Sequence, residues 1–132
     1  MNSVIEIHDS DVDTVSNLDG KVVLCFSSVY IHKSLGIPGV DPGTGWVQKA
    51  KLTIADATIK STLTLFPGQL LGGYLRLGDS ILDNEIPIPL NFQGDTELLL
   101  ESWNDQVILV SGRGAELELI DDPTYVEDFR PD

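Results

Sequence analysis

Through the interior of the chain, apolar and polar side chains alternate with a period of two, and turn residues break the pattern at short intervals. Residues 21–33 follow the turn dipeptide Asp19-Gly20 and begin apolar in both alternate sets, which predicts a strand covered on both faces. From 46 to 54 the alternation is cleaner. Trp46, Ala50, Leu52 and Ile54 fall on one face and Val47, Lys49, Lys51 and Thr53 on the other, as in a half-buried antiparallel strand. Residues 58–66 repeat it, with Ile59, Leu63 and Leu65 inward, before Pro67-Gly68 breaks the chain. A strand over 70–77 is interrupted by Gly72-Gly73, which suggests a bulge or sharp bend. Gly78-Asp79 and Asp83-Asn84 bracket a short run at 80–82. Residues 86–90 must be extended, but Pro87 and Pro89 cannot donate to a ladder, so this stretch belongs at an edge or outside the sheet. Runs at 97–103, 106–111 and 115–120 complete the set, the last two reading as a hairpin about Gly112-Arg113-Gly114.

Turn signals recur about every 8–12 residues, with no amphipathic helix between them, so the expected fold is all-β. The architecture is an antiparallel β-sandwich or barrel of about seven to nine strands, with at most one or two short helical turns. One such turn is placed at Asp122-Pro123, an N-cap followed by a favoured first-turn proline, with Tyr125 and Phe129 four apart on one side; a weaker one spans 11–18. The 132 residues make one β domain, with an acidic lead-in at 1–20 and an acidic C-terminal segment at 121–132. The rings of Tyr125 and Phe129 are expected to dock on the sheet or over an open end of the barrel, leaving Glu127, Asp128 and Asp132 in water. The longest loop, 34–45, is rich in glycine and proline, a place where binding function often sits.

Charge narrows the partners. The net charge is −13, and it resides at the two ends. Residues 1–20 carry Glu6, Asp9, Asp11, Asp13 and Asp19 without a Lys or Arg, and 115–132 carry seven acids against Arg130 alone. Such a chain repels nucleic acid and anionic membrane surfaces and attracts a basic protein, although acidic ends also serve solubility alone. No apolar stretch approaches the roughly 20 residues of a membrane span, and the amino terminus lacks the features of a secretory signal; a cytoplasmic location is expected. The single cysteine, Cys25, excludes an intrachain disulfide and a Cys-rich zinc site, and its apolar surroundings (Val22-Val23-Leu24-Cys25-Phe26) predict a buried, inert thiol.

Few residues suggest chemistry. Asp9, Asp11 and Asp13 open like a calcium loop, but Thr14 stands where glycine is needed and Gly20 where a bidentate glutamate is needed. Strand alternation separates Cys25 and His32 onto opposite faces unless a bulge intervenes, and with His8 the only other histidine a His-based zinc site lacks ligands. No metal site and no cofactor is expected, and nucleophile elbows, phosphate loops and dinucleotide fingerprints are absent. Ser111-Gly112-Arg113-Gly114 reads as a turn with an exposed arginine. The candidate ligand-binding residues are Tyr74, Arg76 and Trp103. Gly72, Tyr74 and Arg76 share a face and offer a small–aromatic–cation stripe to an anionic group, unless Arg76 pairs with Asp79, Asp83 or Glu85. Trp103, beside the Asn104-Asp105 turn, suits exposure, and Trp46 suits the core. The leading function is a non-enzymatic cytoplasmic binding protein for a basic protein partner or a second copy of itself. One alternative is a small-ligand-binding β-barrel with a pocket near Tyr74 and Arg76; a carboxylate-based hydrolase is another.

Overall fold

The computed structural model describes residues 1–60, 68–103 and 105–131, and every regular element among them is a β-strand. In chain order these are β1 (Asn2–Leu18), β2 (Lys21–Ser34), β3 (Gly43–Ala55), β4 (Thr58–Ile59), β5 (Gly68–Leu77), β6 (Ser80–Asp83), β7 (Glu85–Ile88), β8 (Asn91–Ser102) and β9 (Val107–Phe129). All pairings are antiparallel, in the order β6-β5-β8-β9-β3-β2-β1-β7, with β4 beside β9. A further pairing of β5 with β1, Asp11 opposite Gln69 and Val12 opposite Gly68, closes a ring of six strands. The fold is therefore all-β and barrel-like. No helix of the described residues is long and apolar enough to cross a membrane.

Above the closure β1 and β5 diverge, and β6 and β7 fill the fork: β6 runs beside β5 and β7 beside β1. Asn84 sits between them in the left-handed conformation, φ 60°. Its N–H donates to Gly73 O (2.9 Å), its carbonyl accepts from Ile7 N–H (2.9 Å), and its Oδ1 accepts from His8 N–H (2.8 Å). One residue thus joins both arms of the fork. Pro87 is tolerated in β7 because that strand lies at an edge, as the missing donor requires.

The ring is filled rather than hollow. Ile5, Ile7 and Val12 of β1, Val22, Leu24, Phe26, Val29 and Ile31 of β2, and Leu52 and Ile54 of β3 are buried against Leu70, Leu75, Ile86, Leu98, Leu100, Ile108 and Val110. These inward residues change parity along the longer strands. Ile7 and Val12, Phe26 and Val29, and Leu70 and Leu75 are separated by odd steps, and a register shift lies between the members of each pair. A bulge adds a residue to one strand and restores its apolar face to the core after the strand has twisted away. One of these bulges lies at Leu71, immediately before Gly72-Gly73, where the sequence suggests a bulge or bend.

Four expectations are corrected. Residues 107–129 form one strand, not a hairpin about Gly112-Arg113-Gly114. A side chain at Gly112 would collide with Ala55 O and Ile54 Cγ2, both 2.5 Å from the Cβ position, so glycine lets the strand press past the end of β3 as it changes partners. Asp122-Pro123 starts no helix. It lies in β9 where the register slips opposite Gln48, whose Nε2 donates to Asp121 O (2.6 Å), and the slip accommodates the N–H that proline lacks. Residues 11–18 belong to β1 and are not helical. Cys25 is half-buried, not buried: Leu24 and Phe26 point inward, and Cys25 lies on the outer face between Thr14 and Lys51 of the neighbouring strands. Of the strand expected over 58–66, Thr58–Ile59 form β4; residues 61–67 lie outside the described residues.

Candidate functional site

The outer face of β1, β2, β3 and β9 near the fork carries a group of polar side chains, Glu6, His8, Asp9, Tyr30, His32 and Glu127. Its shape follows from a bulge in β1. Pairing with β2 is regular to Glu6 opposite Tyr30 and resumes at Asp11 opposite Ser28. Ser10 is buried within the bulge, its Oγ donating to Glu6 O (2.7 Å) and accepting from Tyr30 N–H (3.2 Å). In a regular strand Asp9 would point away from both Glu6 and His8. The bulge, pinned across the fork by Asn84, brings one ligand atom each of Glu6, His8 and Asp9 within 4.8 Å of one another. His8 Nδ1 stands 3.2 Å from Asp9 Oδ1.

A second bulge, at Ser27-Ser28 of β2, turns Tyr30 and His32 outward. They are nevertheless buried, because β3 offers glycines there: a side chain at Gly45 would overlap the Tyr30 hydroxyl. The Tyr30 hydroxyl donates to Glu127 Oε1 (2.8 Å), and His32 Nε2 lies 2.8 Å from Glu6 Oε2. Rings of Tyr30 and Phe129 flank His32 edge-on, each with centroids 5.0 Å away. His32 Nδ1 is buried without a hydrogen-bond partner. Glu6 and His32 open onto a cavity of about 170 Å³, which Asp83, Asn84, Glu85 and Gly39 also line. The field here is negative. Burial pushes the Tyr30 phenol well up, and the Glu127 hydrogen bond and the charges of Glu127, Glu6 and Asp9 push it further.

The three sequence candidates do not meet. Tyr74 and Arg76 are neighbours on the outer face of β5, and both are engaged by Glu97 of β8, a residue the sequence reading passed over. The Tyr74 hydroxyl donates to Glu97 Oε1, Arg76 Nη2 lies 3.4 Å from Glu97 Oε2, and Arg76 Nη1 donates to Gly78 O (2.7 Å). Arg76 is thus paired with an acid, though not with Asp79, Asp83 or Glu85. Trp103 is 59% exposed beyond the end of β8, roughly 20 Å from Glu97 at about 3.3 Å per residue. Trp46 packs against the core, with its Nε1 donating to Thr44 Oγ1 (2.8 Å) and Tyr125 edge-on at 5.4 Å. Asp9, Asp11 and Asp13 lie in extended β1, which gives no calcium loop. The β2 bulge does place Cys25 and His32 on one face, but about 20 Å of strand separates them.

The loop after β2 is the other distinctive surface. Leu35, Ile37 and Val40 are 86%, 61% and 58% exposed. They are held there by a built turn. Ile37 N–H donates to Asp41 Oδ2 (2.7 Å) and Ile37 O accepts from Asp41 N–H (2.8 Å); Ser34 Oγ donates to Pro42 O (2.8 Å), and Asn2 Nδ2 to Gly36 O (2.8 Å). The chain matches no protein-family model, no curated protein and no solved structure.

Proposed function

We propose that the protein is a binding module for a basic protein surface, which it grips with the loop at 35–42 and the acidic face beside it. The observation that supports this most directly is the aliphatic trio Leu35, Ile37 and Val40, held exposed by hydrogen bonds that fix the loop before any partner arrives. Apolar anchors with an acidic rim suit a partner of the opposite charge, and a loop already ordered loses little entropy on binding. A second copy of this chain fits less well, since two bodies of charge −13 repel. A ligand within the barrel has little support, because aliphatic side chains fill the ring and Tyr74 and Arg76 are occupied with Glu97. A carboxylate hydrolase has less: Glu6, Asp83 and Glu85 share a cavity, but none of them is buried.

The test is cross-linked capture from the native lysate by tagged wild-type protein and by the triple variant Leu35→Ser, Ile37→Ser, Val40→Ser. All three side chains are exposed, so circular dichroism should be unchanged. The expected result is a basic protein held by the wild type, released at high salt and lost from the variant. Capture that survives the triple substitution would overturn the assignment of the loop. A concentration-dependent dimer in sedimentation velocity, abolished by the variant, would reassign the loop to self-association.

A further inference from the structure

We propose that Glu6, His8 and Asp9 form a binding site for a divalent transition-metal cation, with water completing its coordination. The donor set is one imidazole and two carboxylates, a mixture suited to first-row ions such as Zn²⁺ or Mn²⁺ rather than to Ca²⁺, which takes oxygen ligands alone. The spacing fits. Ligand atoms around such an ion, with bonds of about 2.0–2.2 Å, stand roughly 3.0–3.5 Å apart. His8 Nδ1 and Asp9 Oδ1 are already at 3.2 Å, and all three groups converge within 4.8 Å, so a small side-chain rotation of Glu6 completes the set.

Two observations outside the trio point the same way. The first is His32, nine-tenths buried, whose Nε2 meets Glu6 Oε2 at 2.8 Å. A carboxylate only accepts, so Nε2 is the donor in this contact, and Nδ1 is buried without a partner. A ring N–H donated to a ligating carboxylate is the outer support that metal sites use to orient a ligand. The second is the distribution of cations. Lys49, Lys51, Arg76, Arg113 and Arg130 pair with Asp121, Glu118, Glu97, Asp95 and Asp128, whereas among the described residues Glu6 and Asp9 have only histidines as ion-pair partners. Asp83 and Glu85 across the cavity add negative charge and no base. Five of the eight lysines and arginines are thus engaged with other acids and Lys33 lies over the Trp46 ring, so this corner remains open to a mobile cation.

Titration calorimetry of the full chain with ZnCl₂ tests the proposal. His8→Ala and Asp9→Asn remove one ligand each from exposed side chains. Asp19→Asn, at the far end of β1 in a left-handed turn that asparagine tolerates, is the matched charge control. The expected result is one Zn²⁺ per chain, bound at least about tenfold more weakly by each ligand variant and unchanged by the control. The His8 ring resonances should shift on addition of Zn²⁺ in the wild type, and Mg²⁺ at equal concentration should not displace it. No saturable binding at one site would overturn the proposal. So would an affinity that His8→Ala leaves intact, or one that Asp19→Asn lowers as much as Asp9→Asn, since either shows ions held only by diffuse charge.

Discussion

Substitution of Asn84 is the sharpest test of how the barrel is held open at the fork. Three bonds converge on this half-buried residue, and they link β5, β1 and the bulge through it. Its φ of 60° is a conformation that asparagine adopts readily, glycine freely and alanine at a cost of about 1 kcal/mol. The Oδ1 bond to His8 N–H is worth about 1 kcal/mol more. Asn84→Ala loses both and is expected to cost about 2 kcal/mol. Asn84→Gly keeps the conformation and loses the bond, with some added chain entropy in the unfolded state, so it should fall between wild type and alanine. For a domain of this size 1 kcal/mol corresponds to roughly 3–5 °C, which makes the alanine loss roughly 6–10 °C in a thermal melt followed by circular dichroism. Asn84→Asp retains both the acceptor and the conformation but sets a carboxylate between Asp83 and Glu85, so its loss should shrink as salt is raised, while the alanine loss should not. An alanine variant that melts with the wild type, or an aspartate variant indifferent to salt, would refute this role of Asn84 at the fork.

Two further outcomes follow from the outer face. Cys25 is expected to react with a thiol reagent in the folded protein, because it lies half-open between Thr14 and Lys51; labelling that keeps pace only with global unfolding would show the thiol to be covered. The Glu97 carboxyl is held below its ordinary value chiefly by the Tyr74 hydroxyl, with burial opposing and Arg76 adding to the depression. A depressed carboxyl contributes stability above its unfolded value of about 4.3 and loses it as pH falls through the folded one. Urea midpoints should therefore drop more steeply between about pH 5 and pH 3 in the wild type than in Tyr74→Phe, and parallel curves would refute the coupling.

The elements themselves were legible from the chain because each rests on local rules. The turn at Asp19-Gly20 opens β2, alternation from Ala50 to Ile54 marks the buried face of β3, and the prolines at 87 and 89 confine β7 to an edge. The errors share one physical cause. Gly112 and Pro123 carry turn and helix signals that are correct for an isolated segment. Here each sits where one long strand must bend or slip to stay on the ring, so tertiary pairing overrides the local preference. The run read at 97–103 likewise missed the first part of β8, which begins at Asn91 and passes Gly94 and Asp95 with a register shift between Gln93 and Thr96.

That cause also explains why the candidate site was missed. Period-two reasoning assigns each residue to a face by counting from its neighbours, and a single extra residue inverts every assignment beyond it. Counting from Phe26 puts Tyr30 and His32 on the core face with Leu24; the extra residue at Ser27-Ser28 moves them outward, onto the side where Glu6 and Glu127 wait. Counting from Ile7 sends Asp9 inward, and the β1 bulge sends it to His8 instead. One signal was present and could have been used. Gly43 and Gly45 stand in β3 opposite Ser34 and His32, where a strand that must cover a core would carry side chains. Glycine on a strand face leaves room for a close approach from elsewhere: at Gly45 the Tyr30 side chain fills it, with His32 and Phe129 beside it, and at Gly43 the Lys33 carbonyl does. The bulges that keep the barrel's inside apolar are therefore the same features that assemble the acidic, histidine-bearing corner on its outside. A substitution that straightens the β1 bulge, such as Ser10→Val, which removes the Oγ bonds to Glu6 O and Tyr30 N–H, should both destabilise the fold and scatter Glu6, His8 and Asp9.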